Sequence, residues 1–258
     1  MTCFGARPGA GNPALVIEDG PLDPAERQAL ARERNTTCVF IGGAATADVL
    51  PRIDFFYPHA RSPLCLHATL AVAALLLARP GAPAMIAVET AMHGQPLALS
   101  RQGGDYYVSL LPQPAPAVEV APALLAALLR APASVVTSTP RVASVGSPKL
   151  LVEVADVDTL YGLAPDLDAI AAWGREHGVN GIYAYCRRAD GDFEGRNFNH
   201  LDPALEDAAT GVAAGALGVA LRRGLVLHQG RAGGRDCLIR TRLEEGAVLV
   251  GGTVMEKP

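Results

Sequence analysis

Aromatic residues make up 5% of this 258-residue chain, and one of them is tryptophan. Its core must therefore be built from small aliphatic side chains, which pack closely but blur individual helix and strand preferences. The five cysteines, Cys3, Cys38, Cys65, Cys186 and Cys237, stand singly, which argues against a disulfide framework. With no C-x-x-C pair or His/Cys ladder, a metal site has no support. Positive charge is not in excess: 22 Lys plus Arg face 26 Asp plus Glu, a formal net charge of −4. A nucleic-acid partner, which needs a basic face, is disfavoured. The longest strongly apolar run, Ala68 to Ala78, falls far short of the ~18 residues of a membrane span. No basic stretch followed by an apolar run opens the chain, and no Walker or G-x-G-x-x-G sequence supports nucleotide binding. These absences lead to the expectation of a soluble, cytoplasmic protein with reduced thiols.

What is present is a core and a repeat. Half of the residues are apolar, ample for a folded domain or two. Gly11-Asn12-Pro13 leads into the apolar Ala14–Ile17, and Gly146-Ser147-Pro148 leads into Lys149–Val154. Each is a turn entering a strand. An amphipathic helix follows each, Pro24–Arg34 and Pro165–His177, and then a strand, Cys38–Ile41 and Gly181–Tyr185. Further strands, Ile53–Tyr57 and Phe193–Phe198, precede two helices apolar all round, Leu70–Ala78 and Val212–Arg222. Such helices belong inside a protein. Strands with glycine turns close each half: 84–88, 97–99 and 106–110, then 225–229, 237–242 and 247–250. The order-preserving recurrence points to duplication and to an α+β fold of two pseudo-symmetric domains. Each would be a curled, mostly antiparallel sheet around one apolar helix. The proline-rich stretch from Pro112 to Pro140 places the boundary near 115, giving domains 1–115 and 116–258, with the last strand free to return to the first.

Two duplicated domains make a cleft, a common place for a ligand. The two apolar helices would begin near it, presenting unpaired N–H groups to a small carboxylic acid. His67 and Asp207 stand in the turns entering these helices. One titrates near neutrality, and the other is a carboxylate able to act as base or to cap its helix. Cys65 stands in the first turn as a thiol near a helix N-terminus or a small buried residue; Thr210 occupies the matching place in the second half. Asn12 and Ser147 pin or cap the paired turns. Gly230-Arg231-Ala232-Gly233-Gly234-Arg235 reads as a ligand-wrapping segment or a hairpin loop.

These residues resemble the PhzF-like family of phenazine biosynthesis, relatives of diaminopimelate epimerase. The matching pieces are Arg7 to Pro13, Pro63 to Leu70, Arg196-Asn197-Phe198 and Glu206 to Gly211. Gln229-Gly230 through Gly233-Gly234-Arg235 to Val250-Gly251-Gly252 matches the family's last strands. The resemblance spans nearly the whole chain. It implies two domains with a cofactor-free site between them, a homodimer, and an isomerase or epimerase that moves a proton on a small acid such as trans-2,3-dihydro-3-hydroxyanthranilate. Met1 falls close to where the family's first strand is already under way.

The departures bear on chemistry. The family's catalytic glutamate sits in a Ser-Glu-Thr turn, and Thr37 stands in its place. The glycine before the histidine is Leu66, the serine after Thr-Gly is Val212, and a glutamate before the first motif's proline is Arg61, a permanent cation with a fork suited to carboxylates. The expected acid–base groups are therefore Asp207 and His67, with Cys65 in reserve. Asn12, Thr37, Arg61, Ala68, Thr69, Ser147, Thr210, Gly211 and Val212 would surround the substrate. The alternative is a small-acid binding or pathway accessory protein that has lost the family's chemistry with its glutamate.

Overall fold

The chain, in a computed structural model that describes residues 1–43, 50–199 and 206–256, divides into two units. One comprises Met1–Leu110 with Leu249–Pro258, the other Leu111–Val248. The first unit runs β1 (Thr2–Cys3), β2 (Asn12–Glu18), α1 (Pro24–Arg34), β3 (Thr37–Gly42), β4 (Arg52–Phe56), β5 (Arg61–Ser62), α2 (Leu66–Leu77), β6 (Met85–Thr90), β7 (Pro96–Gln102) and β8 (Asp105–Leu110). The second runs α3 (Pro122–Leu129), β9 (Arg141–Ala143), β10 (Lys149–Glu153), α4 (Val157–Gly162), α5 (Leu167–His177), β11 (Ile182–Arg187), β12 (Phe193–Phe198), α6 (Gly211–Leu221), β13 (Leu225–Gln229) and β14 (Cys237–Glu244). Strand β15 (Ala247–Gly252) then leads to β16 (Val254–Met255), which pairs with β1 in the first unit.

The pairing pattern shows the repeat directly. In the first unit β2 and β3 are parallel, β3 and β4 antiparallel, β4 and β6 parallel, and β6 and β7 antiparallel. In the second the same sequence of directions joins β10, β11, β12, β13 and β14. The parallel β2/β3 and β10/β11 pairs each need a crossover helix, which α1 and α5 supply. Asp23 and Asp166 cap these helices, accepting from the amides of Ala25 and Ala169 at 3.1 and 3.0 Å. The Asp166 cap starts α5 at Leu167, two residues later than the sequence pattern placed it.

Within each unit the strands of the sheet gather round one shared helix. In the first unit β1, β2, β3, β6, β7 and β8 all touch α2, which is buried round nearly its whole circumference. In the second, α6 touches both ends of the path, β9 and β14, as well as β10 and β13. Helix α6, GVAAGALGVAL, is almost free of bulk, so strands approach it closely. A Cβ on Gly218 would stand 3.0 Å from Thr241 Oγ1.

The outer face of the second unit's strands carries a separate core. Leu150, Val152, Ile182 and Ala184 pack there with Leu125, Leu128, Leu160, Ile170 and Trp173 of the surrounding helices. The proline-rich stretch thus contributes α3 to this layer. No helix among the described residues is long and apolar enough to cross a membrane.

Candidate functional site

Helix α2 starts at Leu66, four residues before the sequence pattern suggested, so His67 lies in its first turn. Cys65 is the N-cap, with extended backbone and no side-chain capping bond. Its carbonyl instead accepts the Thr69 amide at 2.9 Å and the Thr69 hydroxyl at 2.8 Å. His67 is buried. Asn12 Nδ2 stands 3.3 Å from its Nδ1, and Cys65 Sγ stands 3.4 Å from the same atom. Asn12 donates there, so a neutral imidazole carries its proton on Nε2. Asn12 therefore fixes a tautomer, more than the turn it was expected to pin. Gly11, at φ 111°, permits that turn; a Cβ there would stand 2.8 Å from the Cys3 carbonyl oxygen.

The second unit builds a different constellation in the equivalent place. Thr210 is the N-cap of α6, so Asp207, three residues earlier, does not cap the helix. Gln229, at the end of β13, organises the turn. Its Nε2 donates to the Asp207 carbonyl at 2.8 Å and to Thr210 Oγ1 at 2.9 Å. Its Oε1 accepts from the Thr210 amide at 3.2 Å and from the Tyr183 hydroxyl at 2.9 Å. Thr210 Oγ1 in turn lies 3.4 Å from Asp207 Oδ2. Gly195 makes the tyrosine contact possible, since a Cβ there would stand 2.2 Å from the Tyr183 oxygen. Gly230, at φ 99°, lets the glycine-rich segment lie on this turn, where a Cβ would meet the Ala208 carbonyl at 2.7 Å. That segment is a short helical turn, Arg231–Gly233, with Arg231 over the Tyr161 ring at 4.9 Å.

Other expected site residues lie elsewhere or in different roles. Thr37 is buried at the start of β3, in register with Ala14. Ser147 Oγ accepts from the Asn180 side-chain amide at 2.7 Å. Ala68 and Thr69 are buried in the first turn of α2, and Gly211 and Val212 open α6. Arg61, expected to offer its fork to a substrate carboxylate, gives it to a protein carboxylate. Its Nε and Nη2 meet the two oxygens of Asp54 at 2.8 and 3.0 Å, and Arg27 Nη1 adds a third contact at 3.0 Å. The signal missed in the sequence was Asp54, which the β4/β5 hairpin folds back onto Arg61.

Sequence reasoning also missed Gln229, Tyr183 and Lys149. Lys149 is fully buried, and its Nζ donates to the Asn180 carbonyl at 2.5 Å. Burial pushes its ammonium down to about 8, opposed by the Asp207 carboxylate. A signal was present: Lys149 is one of two lysines in the chain. No group of three or more His, Cys, Asp or Glu able to hold a metal ion occurs among the described residues. The first unit thus carries an imidazole at the entrance to α2, and the second a carboxylate at the entrance to α6.

Comparison with known proteins shows the family. The sequence profile of the PhzC-PhzF family, phenazine biosynthesis-like protein, matches residues 1–256. The uncharacterized isomerase YddE of Escherichia coli is 29% identical over 260 residues, covering 93% of this chain and 87% of that protein. A trans-2,3-dihydro-3-hydroxyanthranilate isomerase of Pseudomonas fluorescens is 31% identical over 237 residues, covering 86% of this chain and 78% of that one. A solved structure described as a predicted epimerase from Pseudomonas aeruginosa aligns with a TM-score of 0.78 at 27% identity, covering 98% of this chain and 93% of that chain.

Proposed function

The chain belongs to the phenazine biosynthesis-like family, and from that premise we propose that it is a cofactor-independent isomerase or epimerase that moves a proton on a small carboxylic acid. The observation that carries the reading is the Gln229 network. It holds the Asp207 turn beside the entrance to α6, whose N-cap is Thr210, and Thr210 Oγ1 donates to the Asp207 carboxylate at 3.4 Å. The substrate is an amino or cyclic acid of the dihydro-hydroxyanthranilate kind, taken between the two domains of a homodimeric protein. Its carboxylate is held by the amides opening α2 and α6, near Ala68, Thr69, Gly211 and Val212.

Asp207 accepts the proton from the acidified carbon, and the C–H electron pair enters the conjugated system. The carboxylic acid so formed returns the proton at another carbon, which completes an isomerisation with no net gain or loss. His67 hydrogen-bonds the developing negative charge through Nε2–H, with Cys65 and Asn12 holding the ring. Arg61 is assigned to the Asp54 ion pair rather than to the substrate. The buried Thr37, where the family places a glutamate, supports a second reading, a protein that binds such an acid without converting it. Incubation of trans-2,3-dihydro-3-hydroxyanthranilate with the protein in deuterated water separates the two. Deuterium in the recovered acid supports proton transfer; saturable binding with no incorporation supports the binder, and neither result would sink both.

A further inference from the structure

Arg196 divides its guanidinium between two partners. Its Nε and Nη2 donate to the two oxygens of Glu206 at 3.2 and 3.0 Å. Its Nη1 donates to the carbonyls of Leu160 and Leu163 at 3.0 and 3.1 Å. Leu160 lies in α4, and Leu163 is the C-cap of that helix. The group also lies over the rings of Tyr161 and Phe198, 5.6 and 4.8 Å from their centroids. Only 12% of the Arg196 side chain and 11% of the Glu206 side chain are exposed, so solvent and salt screen this pair little. A planar fork can meet a carboxylate and two carbonyls together; the single ammonium of a lysine could not.

Strand alternation puts Arg196 on the opposite side of β12 from the Gln229 network. Gly195 faces inward, where a Cβ would meet the Tyr183 oxygen, and it pairs in register with Gln229. Arg196 faces the other way, as does Phe198 of the outer core. The turn from Glu206 to the Thr210 N-cap is therefore gripped from both faces of the sheet. On the inner face Gln229 bonds the Asp207 carbonyl and Thr210. On the outer face Arg196 bonds the side chain of Glu206, the residue before Asp207. The outer grip is itself anchored, since the Tyr161 hydroxyl donates to the buried Glu194 carboxylate at 2.7 Å.

We propose that Arg196 is a positioning residue for Asp207: its fork on Glu206, braced against α4, fixes the turn in which the Asp207 carboxylate stands. The proposal rests on the reading of Asp207 as the base. Arg196 acts through the backbone that joins Glu206 to Asp207. A shift of about 1 Å in a reacting group is enough to cost about 10²-fold in rate.

The test uses the full chain and reads the turn and the chemistry separately. The Thr210 amide, which donates to Gln229 Oε1, reports the turn through its native-state hydrogen exchange. Arg196→Met keeps a stem over the two rings and removes the fork. It should speed that exchange about tenfold while the amides of β14 exchange as before. With trans-2,3-dihydro-3-hydroxyanthranilate as substrate, kcat should fall about 10- to 100-fold and KM should change less than about twofold. Added to Asp207→Asn, Arg196→Met should lower turnover no further, because its effect passes through Asp207. An arginine that serves the fold alone would lower Tm and leave kcat per folded molecule intact. An unchanged Thr210 amide, or a further fall in the Asp207→Asn background, overturns the proposal. If Arg196→Met fails to fold, Glu206→Gln, which keeps the size and drops the charge, decides by the same amide. Absence of deuterium exchange by the unaltered protein would sink the proton-transfer reading instead, and the Thr210 amide would still decide whether Arg196 holds the turn.

Discussion

Each unit buries a carboxylate held by arginine, Asp54 in the first and Glu194 in the second, but the second also buries Lys149, which is treated in the opposite way. In the first, Asp54 is clamped between Arg27 and Arg61, whose guanidinium groups lie over Phe40 and Phe56. In the second, Lys149 is just as deeply buried, yet its one hydrogen bond goes to a neutral carbonyl. A clamped charge serves the fold, because its partners return what desolvation costs. A buried charge with a hydrogen bond but no ion-pair partner weakens the fold, because one neutral carbonyl does not return what desolvation costs. Backbone repetition thus coexists with divergence in side-chain chemistry: the same β-α-β-β-α order carries an imidazole at one helix entrance and a carboxylate at the other.

Breaking the clamp should have the largest effect. Asp54→Asn leaves two arginines facing a neutral amide, and Arg27 is well buried. Because Arg61 is partly solvated, with 34% of its side chain exposed, the expected loss is about 3 kcal/mol, the low end for a broken buried pair. Urea unfolding would check it, and a change under about 1 kcal/mol would show that the clamp is ornamental.

The next contrast is catalytic. Asp207→Asn should lower turnover by about 10²-fold or more, the common worth of a positioned acid–base group. Stability should hold, since Thr210 and not Asp207 caps α6. Thr37→Ala should alter turnover far less. Full activity in Asp207→Asn, measured by deuterium exchange, would remove Asp207 from the base role.

Lys149→Met should move stability the other way. The folded-state value, about 8, lies below the ordinary 10.5, so between those pH values the unfolded chain binds more protons than the native one. Stability of the unaltered protein must then rise with pH across that window, while below it the cost of the buried ammonium is fully present. That cost is about 3 kcal/mol. Losing the bond to the Asn180 carbonyl gives back about 1. The variant should therefore be more stable by about 2 kcal/mol at pH 7, with the gap closing toward pH 10.5. Thermal melts at pH 7 and pH 10 would show it; a destabilised variant at both would place Lys149 with the clamped charges.

The smallest effect belongs to Asn12→Ala. It removes one side-chain contact to His67, worth about 1 kcal/mol or less. Its clearer trace should be in the imidazole nitrogen shifts, which would report a mixture of tautomers in place of one.

Much of this comparison was legible in the sequence and some was not, for physical reasons. Helices α2 and α6 announce themselves because a run such as Leu-Ala-Val-Ala-Ala-Leu-Leu-Leu has nowhere to go but inside. The ends of β12 and β13 were placed by their flanking glycines and polar turns. Helix α4, Val157–Gly162, escaped because six residues are too few to show a period, although Asp156 caps it. Arg61 was misread because its partner is brought back by a hairpin, and local sequence does not show which guanidinium meets which carboxylate. Gln229 looked like the end of a strand; its bonds to Asp207, Thr210 and Tyr183 exist only after β13 is laid beside β12.

The pairing of Thr2 with Met255 and of Cys3 with Val254 has a consequence for synthesis. The ribosome releases the first 110 residues early, but β16, the strand beside β1, emerges well after them. At roughly 5–20 residues per second, the first unit waits on the order of ten to thirty seconds for its edge. The second unit needs nothing that has not already emerged when Val248 appears. The nascent chain should therefore complete its second unit first, reversing the usual order, and removing the β16 residues should loosen β1 rather than the second unit.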